Sequence, residues 1–128
     1  MYPNVFKLSF LSVVILFLSA CNISDNVNSS NENLINKVNT IDDHWINYKG
    51  ISENEKSMIQ SQFISYDSNN NYEVSHDTYV SYFNGEHFIK TELYEDTPDT
   101  INVVEEADGI ILSFNKENKN GMQLIEVE

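Results

Sequence analysis

Tyr72-Glu-Val-Ser-His-Asp-Thr-Tyr-Val-Ser-Tyr-Phe83, then Asn84-Gly85, then Glu86-His-Phe-Ile-Lys-Thr-Glu-Leu-Tyr94 is the stretch that decides the fold. Two alternating runs meet at an Asn-Gly pair, the strongest short-range signal for a β-hairpin. A type I′ turn needs positive φ at both central residues, and Asn and Gly adopt it at least cost. With Asn84-Gly85 as a two-residue loop, Phe83 faces Glu86, Tyr82 faces His87, Val80 faces Ile89, Thr78 faces Thr91 and His76 faces Leu93. Side chains alternate along a strand, so these pairs divide between two faces. The face bearing Tyr82, Val80 and Ile89 is the more apolar and is assigned to the core. The opposite face carries Tyr79, Phe83 and Phe88 with Glu86 and Glu92, and reads as half wet. A one-residue slip would exchange the faces.

Working outward, residues 34–49 read as a helix. Leu34, Val38, Ile41, Trp45 and Tyr48 recur at alternating spacings of 4 and 3, an apolar stripe along one helical face. Gly50 is placed to end it as the C′ residue. Trp45 is read as the anchor of a helix–sheet contact rather than as a ligand stacker. Ser52-Glu53-Asn54-Glu55 fits a capping box and predicts a helical turn. Ile64 and Tyr66 predict a strand leading into the hairpin.

Beyond Tyr94, the polar run 95–100 with Pro98 stops the pairing. Residues 101–105 and 110–115 predict a second hairpin with a four-residue loop, which sets Val103 opposite Leu112 and Ile101 opposite Phe114. Asn120-Gly121 then turns the chain into 122–127, with Ile125 and Val127 on the Phe114 face. The expected fold class is α+β. An N-terminal amphipathic helix packs on a five- or six-stranded antiparallel meander, within one domain of residues 34–128.

The chain carries seven lysines, no arginine and twenty acidic residues, for a net charge of −13. That balance argues against nucleic-acid partners, which require clustered Lys and Arg. It argues equally against charge-driven adhesion to anionic headgroups.

Residues 1–20 read as a targeting segment. Lys7 supplies the positive n-region, 8–18 the apolar h-region, and small residues follow. Leu18-Ser19-Ala20-Cys21 resembles the lipobox of bacterial lipoproteins position for position. The resemblance implies cleavage before Cys21, a diacylglyceryl group on its thiol and an acyl chain, such as palmitate, on the new amine. Loss of Lys7 with the leader would make the chain one unit more negative. Cys21 is the lone cysteine, so no internal disulfide is possible. Each buried acyl CH₂ contributes about 0.8 kcal/mol, so several chains hold a protein on a bilayer. Residues 21–33 are Asn/Ser-rich and predict a flexible tether. In enteric lipoproteins an Asp after the lipidated Cys favours the inner membrane. Asn22 stands there instead, which implies the cell envelope and, in a diderm cell, the outer membrane facing the periplasm.

The run from Tyr82 through Asn84-Gly85 to Glu92, followed by 108–119 with its Asp108-Gly109, is similar to strands of the LolA/LolB-like lipoprotein-carrier superfamily. The resemblance implies a curved half-barrel whose concave face holds lipid acyl chains or a partner.

The residues offer no chemistry of their own. His76-Asp77 and Glu86-His87 invite a metal site, yet the expected register separates the two histidines by about 20 Å at ~3.3 Å per residue. Zinc ligands sit about 2 Å from one ion. There is no nucleophile–base context and no phosphate-cradling loop, so neither enzyme activity nor a cofactor is expected. Two binding roles are expected from the sequence. One holds an apolar ligand or lipid on the sheet and predicts an uncovered concave apolar surface. The other is a protein-interaction lipoprotein, an inhibitor, immunity or envelope-assembly factor. It predicts a filled core and an exposed aromatic–acidic surface, for which Tyr79, Phe83, Phe88, Tyr94, Glu86 and Glu92 are the candidates.

Overall fold

Residues 78–84, 87–94 and 109–115 form strands where Val, Ile, Tyr, Phe and Thr are dense, residues that fit a pleated and partly buried surface, whereas the strand at 52–60 is mostly polar and exposed. The computed structural model describes residues 32–128. The leader, Cys21 and the Asn/Ser segment through Asn31 lie outside the described residues. Among the described residues nine strands follow one another: β1 (Ile41–Ile46), β2 (Ser52–Gln60), β3 (Ile64–Ser65), β4 (Asn71–Val74), β5 (Thr78–Asn84), β6 (His87–Tyr94), β7 (Asp99–Thr100), β8 (Gly109–Asn115) and β9 (Leu124–Val127). A 3₁₀ turn spans Lys116–Asn118.

The expected α+β class is therefore corrected: the described chain is antiparallel β and contains no α-helix. The 34–49 helix is instead a loop and β1. Its stripe is not a buried seam, since Val38 is 90% and Tyr48 59% exposed. Of the stripe only Ile41 and Trp45 lie in β1, four residues apart, a spacing that a strand and a helix share; Leu34 and Val38 precede the strand and Tyr48 follows it in the turn. Asp43 sits at φ +62 within β1, where the register against β2 slips between Asp42 and His44, a bulge in the pair. The capping-box segment 52–55 lies in β2. Gly50, at φ +77, closes the β1–β2 turn through its amide bond to Asn47 O at 3.0 Å.

The strand order is also not a meander. The large sheet runs β1-β2-β8-β5-β6, with β3 also on β8, and the small sheet runs β7-β4-β9. β8 inserts between β2 and β5 and pairs with both. Residues 101–105 form no strand, Ile101 is buried and Val103 is 51% exposed. β9 pairs with β4 rather than β8. Leu124 takes the buried position while Ile125 and Val127 stay half-buried.

The β5–β6 hairpin forms, in a different register. Asn84 pairs with His87, so Gly85-Glu86 is the loop, and Phe83 pairs with Phe88. A bulge at Ile89 then sets Tyr82 opposite Lys90, Val80 opposite Glu92 and Thr78 opposite Tyr94. Tyr82, Val80 and Thr78 do face the core. On β6, Tyr94 now shares their face and Leu93 the other, the reverse of the expected assignment.

The main core fills the space between the two sheets. Tyr82, Val80, Ile110, Leu112, Phe114 and Ile59 of the large sheet meet Tyr72, Val74 and Leu124 of the small one, with Tyr66, Ile101, Val104 and Met122 closing the ends. Burial of these side chains contributes about 1.5–3 kcal/mol each. The second face of β5 and β8 is covered by the tip of the β1–β2 hairpin, which bends back over it. Ile46 N donates to Ser113 Oγ at 2.9 Å, and Thr91 Oγ1 donates to Asn47 O at 3.1 Å. Gly50 lies so close to Phe88 that a Cβ there would stand 2.3 Å from its ring. Asp43, at the bend, is ion-paired with Lys116. At the start of the domain, Asn33 Nδ2 donates to Met122 O at 3.1 Å and its Oδ1 accepts from Leu124 N at 3.0 Å.

Candidate functional site

The bend in the hairpin brings three aromatic rings together on the outer surface. Trp45 of β1 lies 5.0 Å from Tyr79 of β5, and Tyr48 of the turn lies 6.2 Å from Trp45 and 6.0 Å from Tyr79. Tyr48 meets each of the others edge to face, a favoured geometry for aromatic quadrupoles. Trp45 is oriented by Glu53, directly opposite in the register, whose Oε1 accepts from Trp45 Nε1 at 3.0 Å. The other oxygen of Glu53 accepts from Asn47 Nδ2 at 3.1 Å. Beside the rings runs an open cleft of about 210 Å³ lined by Trp45, Glu55, Ser57, Met58 and Tyr79. A second hollow of about 130 Å³ continues from Met58 and Tyr79 toward Asp77 and Leu93. Burial pushes the Tyr79 hydroxyl pKa up, and Tyr48 and Glu95 nearby add to the shift.

The residues expected from the sequence do not form one patch. Tyr79 is in this aromatic cluster. Phe83 and Phe88 come together with ring centres 5.6 Å apart, and Phe63 joins Phe83 at 6.3 Å. Phe63 lies across Gly109, where any Cβ would collide with its ring. Phe83 is buried. Glu86 is exposed in the hairpin turn.

Tyr94 and Glu92 belong to a separate network on the core side of β6. Tyr94 OH donates to Glu92 Oε2 at 2.7 Å, accepts from Asn102 N at 2.9 Å and lies 2.9 Å from Tyr82 OH. Tyr82 OH donates to Asn102 O at 3.1 Å. Asn102 Nδ2 and Lys90 Nζ complete the shell of Glu92 at 2.9 and 2.5 Å. Burial raises the Tyr82 pKa strongly and pushes that of Tyr94 up to about 12. Burial also raises the Glu92 pKa, but the bonds from Lys90, Tyr94 and Asn102 outweigh it and hold the carboxyl below its ordinary value. The network ties the 101–104 loop to the sheet.

Trp45, Tyr48, Glu55 and Met58 were not among the expected site residues. The signal for them was the sole tryptophan beside an acid-rich run, and the helical reading of 34–49 hid it. Among the described residues no three His, Cys, Asp or Glu side chains converge as a metal site. Ser75 Oγ lies 2.8 Å from His76 Nδ1, but it already accepts from Gln123 N at 2.7 Å and serves the turn. No helix of the described residues is long and apolar enough to cross a membrane. The fold and surface define a two-sheet antiparallel β-domain with an aromatic–acidic outer face. Comparison with family models, curated proteins and solved structures finds no match.

Proposed function

We propose that the chain is a membrane-anchored cell-envelope lipoprotein whose domain acts by non-catalytic binding of a protein partner. The anchor rests on the lipobox ending at Cys21. The binding role rests on one observation. The Trp45–Tyr48–Tyr79 cluster stands at the surface with Tyr48 59% exposed, flanked by Glu53 and Glu55, while the small sheet fills one face of the large sheet and the hairpin tip covers the other at Thr91 and Ser113. Exposed aromatics clustered in this way are the composition of interface centres. A carrier of acyl chains needs an uncovered apolar surface. Here one face is occupied by the small sheet and the other by the hairpin tip, which favours a protein partner over a lipid cargo. The half-barrel carrier resemblance is not carried forward, because the helix it was joined to is replaced by β1.

The test is site-specific photo-crosslinking in the native envelope from position 48, with Val103 on a distant loop as control. The expected result is a discrete protein adduct from position 48 that disappears in Trp45→Ala. Adducts only with lipid, or equal adducts from position 103, would show that the aromatic cluster is not the docking surface.

A further inference from the structure

We infer that the cleft beside the Trp45 and Tyr79 rings, lined also by Glu55, Ser57 and Met58, receives an arginine side chain presented by the protein partner. This rests on the binding reading above and names the chemistry of that partner. Three features of the cleft carry it.

Two aromatic side chains, Trp45 and Tyr79, line the cleft. Glu53 holds the indole by its N–H edge, and Tyr79 packs against both Trp45 and Tyr48. A guanidinium is planar and weakly hydrated, and it stacks on aromatic faces. At the mouth stands a carboxylate with capacity to spare. Glu55 Oε1 accepts from Ser57 N and Ser57 Oγ at 3.3 and 2.9 Å, whereas Oε2 makes no hydrogen bond within the described residues. The neighbouring Lys56 forms no ion pair with it among the described residues. The floor includes Met58, a polarizable side chain that adapts to an inserted stem. The surroundings carry the complementary sign, with Glu53 on the Trp45 indole, Glu95 near Tyr79 and Asp77 in the adjoining hollow, and a chain net charge of −13. Such a field steers basic partners. The chain contains no arginine, so a second copy of itself cannot supply the group.

Trp45 is the sole tryptophan, so its emission reports this cleft alone. The lipidated full-length protein in zwitterionic phospholipid vesicles is titrated with an oligo-arginine nonapeptide, an oligo-lysine nonapeptide and a glycine–serine nonapeptide. The expected result is a saturable change with the arginine peptide and no change with glycine–serine. Binding should be at least about fivefold weaker for lysine, because an ammonium neither stacks nor pairs in a fork. Glu55→Gln should weaken arginine binding about tenfold, the equivalent of about 1.4 kcal/mol. Tyr79→Leu should do likewise, whereas Glu105→Gln, on a separate loop, should leave it within twofold. Glu55 is exposed, so its variant folds whether or not Tyr79→Leu does. No saturable change, equal affinity for lysine, or an unaltered Kd in Glu55→Gln would overturn the inference. A crosslinked partner that docks through an arginine-free segment would overturn it too, while leaving the protein-binding reading intact. Arginine binding without any protein adduct from position 48 would sink the binding reading instead.

Discussion

Tyr94→Phe removes one oxygen and tests whether the tyrosine network holds the 101–104 loop to the sheet. The hydroxyl donates to the Glu92 carboxylate at 2.7 Å and accepts from Asn102 N at 2.9 Å. A hydrogen bond to a charged group contributes about 1.5–3 kcal/mol, and stranding a buried amide costs about 1–3 kcal/mol. Lys90 and Asn102 Nδ2 still serve Glu92, and Tyr82 still bonds to Asn102 O, so the losses fall short of their sum. The expected cost is about 2–4 kcal/mol at pH 7, a large share of the roughly 5–15 kcal/mol that holds a domain folded. The pH dependence follows from two shifts of opposite kind. The Glu92 pKa is lowered in the fold, so its contribution is present above the unfolded value of 4.5 and is lost as pH falls through the folded one. The Tyr94 pKa is raised to about 12, so its contribution is present below 10 and is lost as pH rises toward 12. Phenylalanine cannot ionise and weakens the hold on Glu92. The gap between wild type and variant should therefore be widest from about pH 5 to 9 and narrow on both sides. Urea melts at pH 3, 7 and 11 measure it. A gap under about 0.5 kcal/mol at pH 7, or one constant across the range, would refute the reasoning.

Leu112→Ala, fully buried between the sheets, should cost about 2–5 kcal/mol in urea melts. Leu93→Ala, 41% exposed, should cost under about 1 kcal/mol; parity between them would show the observed β6 register to be wrong. Gly85→Ala meets nothing within 4 Å and should cost about 1–2 kcal/mol for its φ of +56 alone. Gly50→Ala adds a collision with Phe88 at φ +77 and should lower Tm clearly further. Cys21→Ser should release the protein from membranes; retention after a carbonate wash would contradict the lipid anchor.

How far the sequence could be read depends on bulges. Alternation in Thr78–Phe83 placed Tyr82, Val80 and Thr78 correctly on the core side, because β5 is regular along that stretch. The same rule failed beyond Phe88. The loop is Gly85-Glu86, which moves the pairing by two positions and keeps His87 and Phe88 on their expected faces, but Ile89 is an unpaired extra residue. That one-residue departure moves every later β6 side chain to the opposite face. Composition gives no warning of either, since Ile is as welcome in a bulge as in a ladder. The insertion of β8 between β2 and β5 is a pairing between residues some fifty positions apart, for example Ile59 with Phe114, and local pattern carries no information about it. Of the candidate surface, Tyr79 was legible as an outward aromatic. Its neighbours Trp45 and Tyr48 were assigned to a helix, so the cluster could not be assembled.

The polar residues on the second face of the sheet explain why the hairpin tip sits where it does. Ser81, Thr91 and Ser113 are buried, and hydroxyls in such a place are costly unless bonded. Ser81 and Thr91 bond each other at 2.7 Å. The other obligations of Thr91 and Ser113 are met by Asn47 O and Ile46 N of the hairpin. Among the described residues no buried side-chain polar atom is left without a partner. An apolar face would have covered itself with the hairpin in any of several registers. Directional bonds at Ile46 and Asn47 admit one. With the residue after Trp45 fixed on Ser113, and Ser113 paired with Tyr79 in the ladder, the indole must land on the Tyr79 ring. The outward aromatic cluster thus follows from the hydroxyls beneath the hairpin, which set its position more than they add to stability.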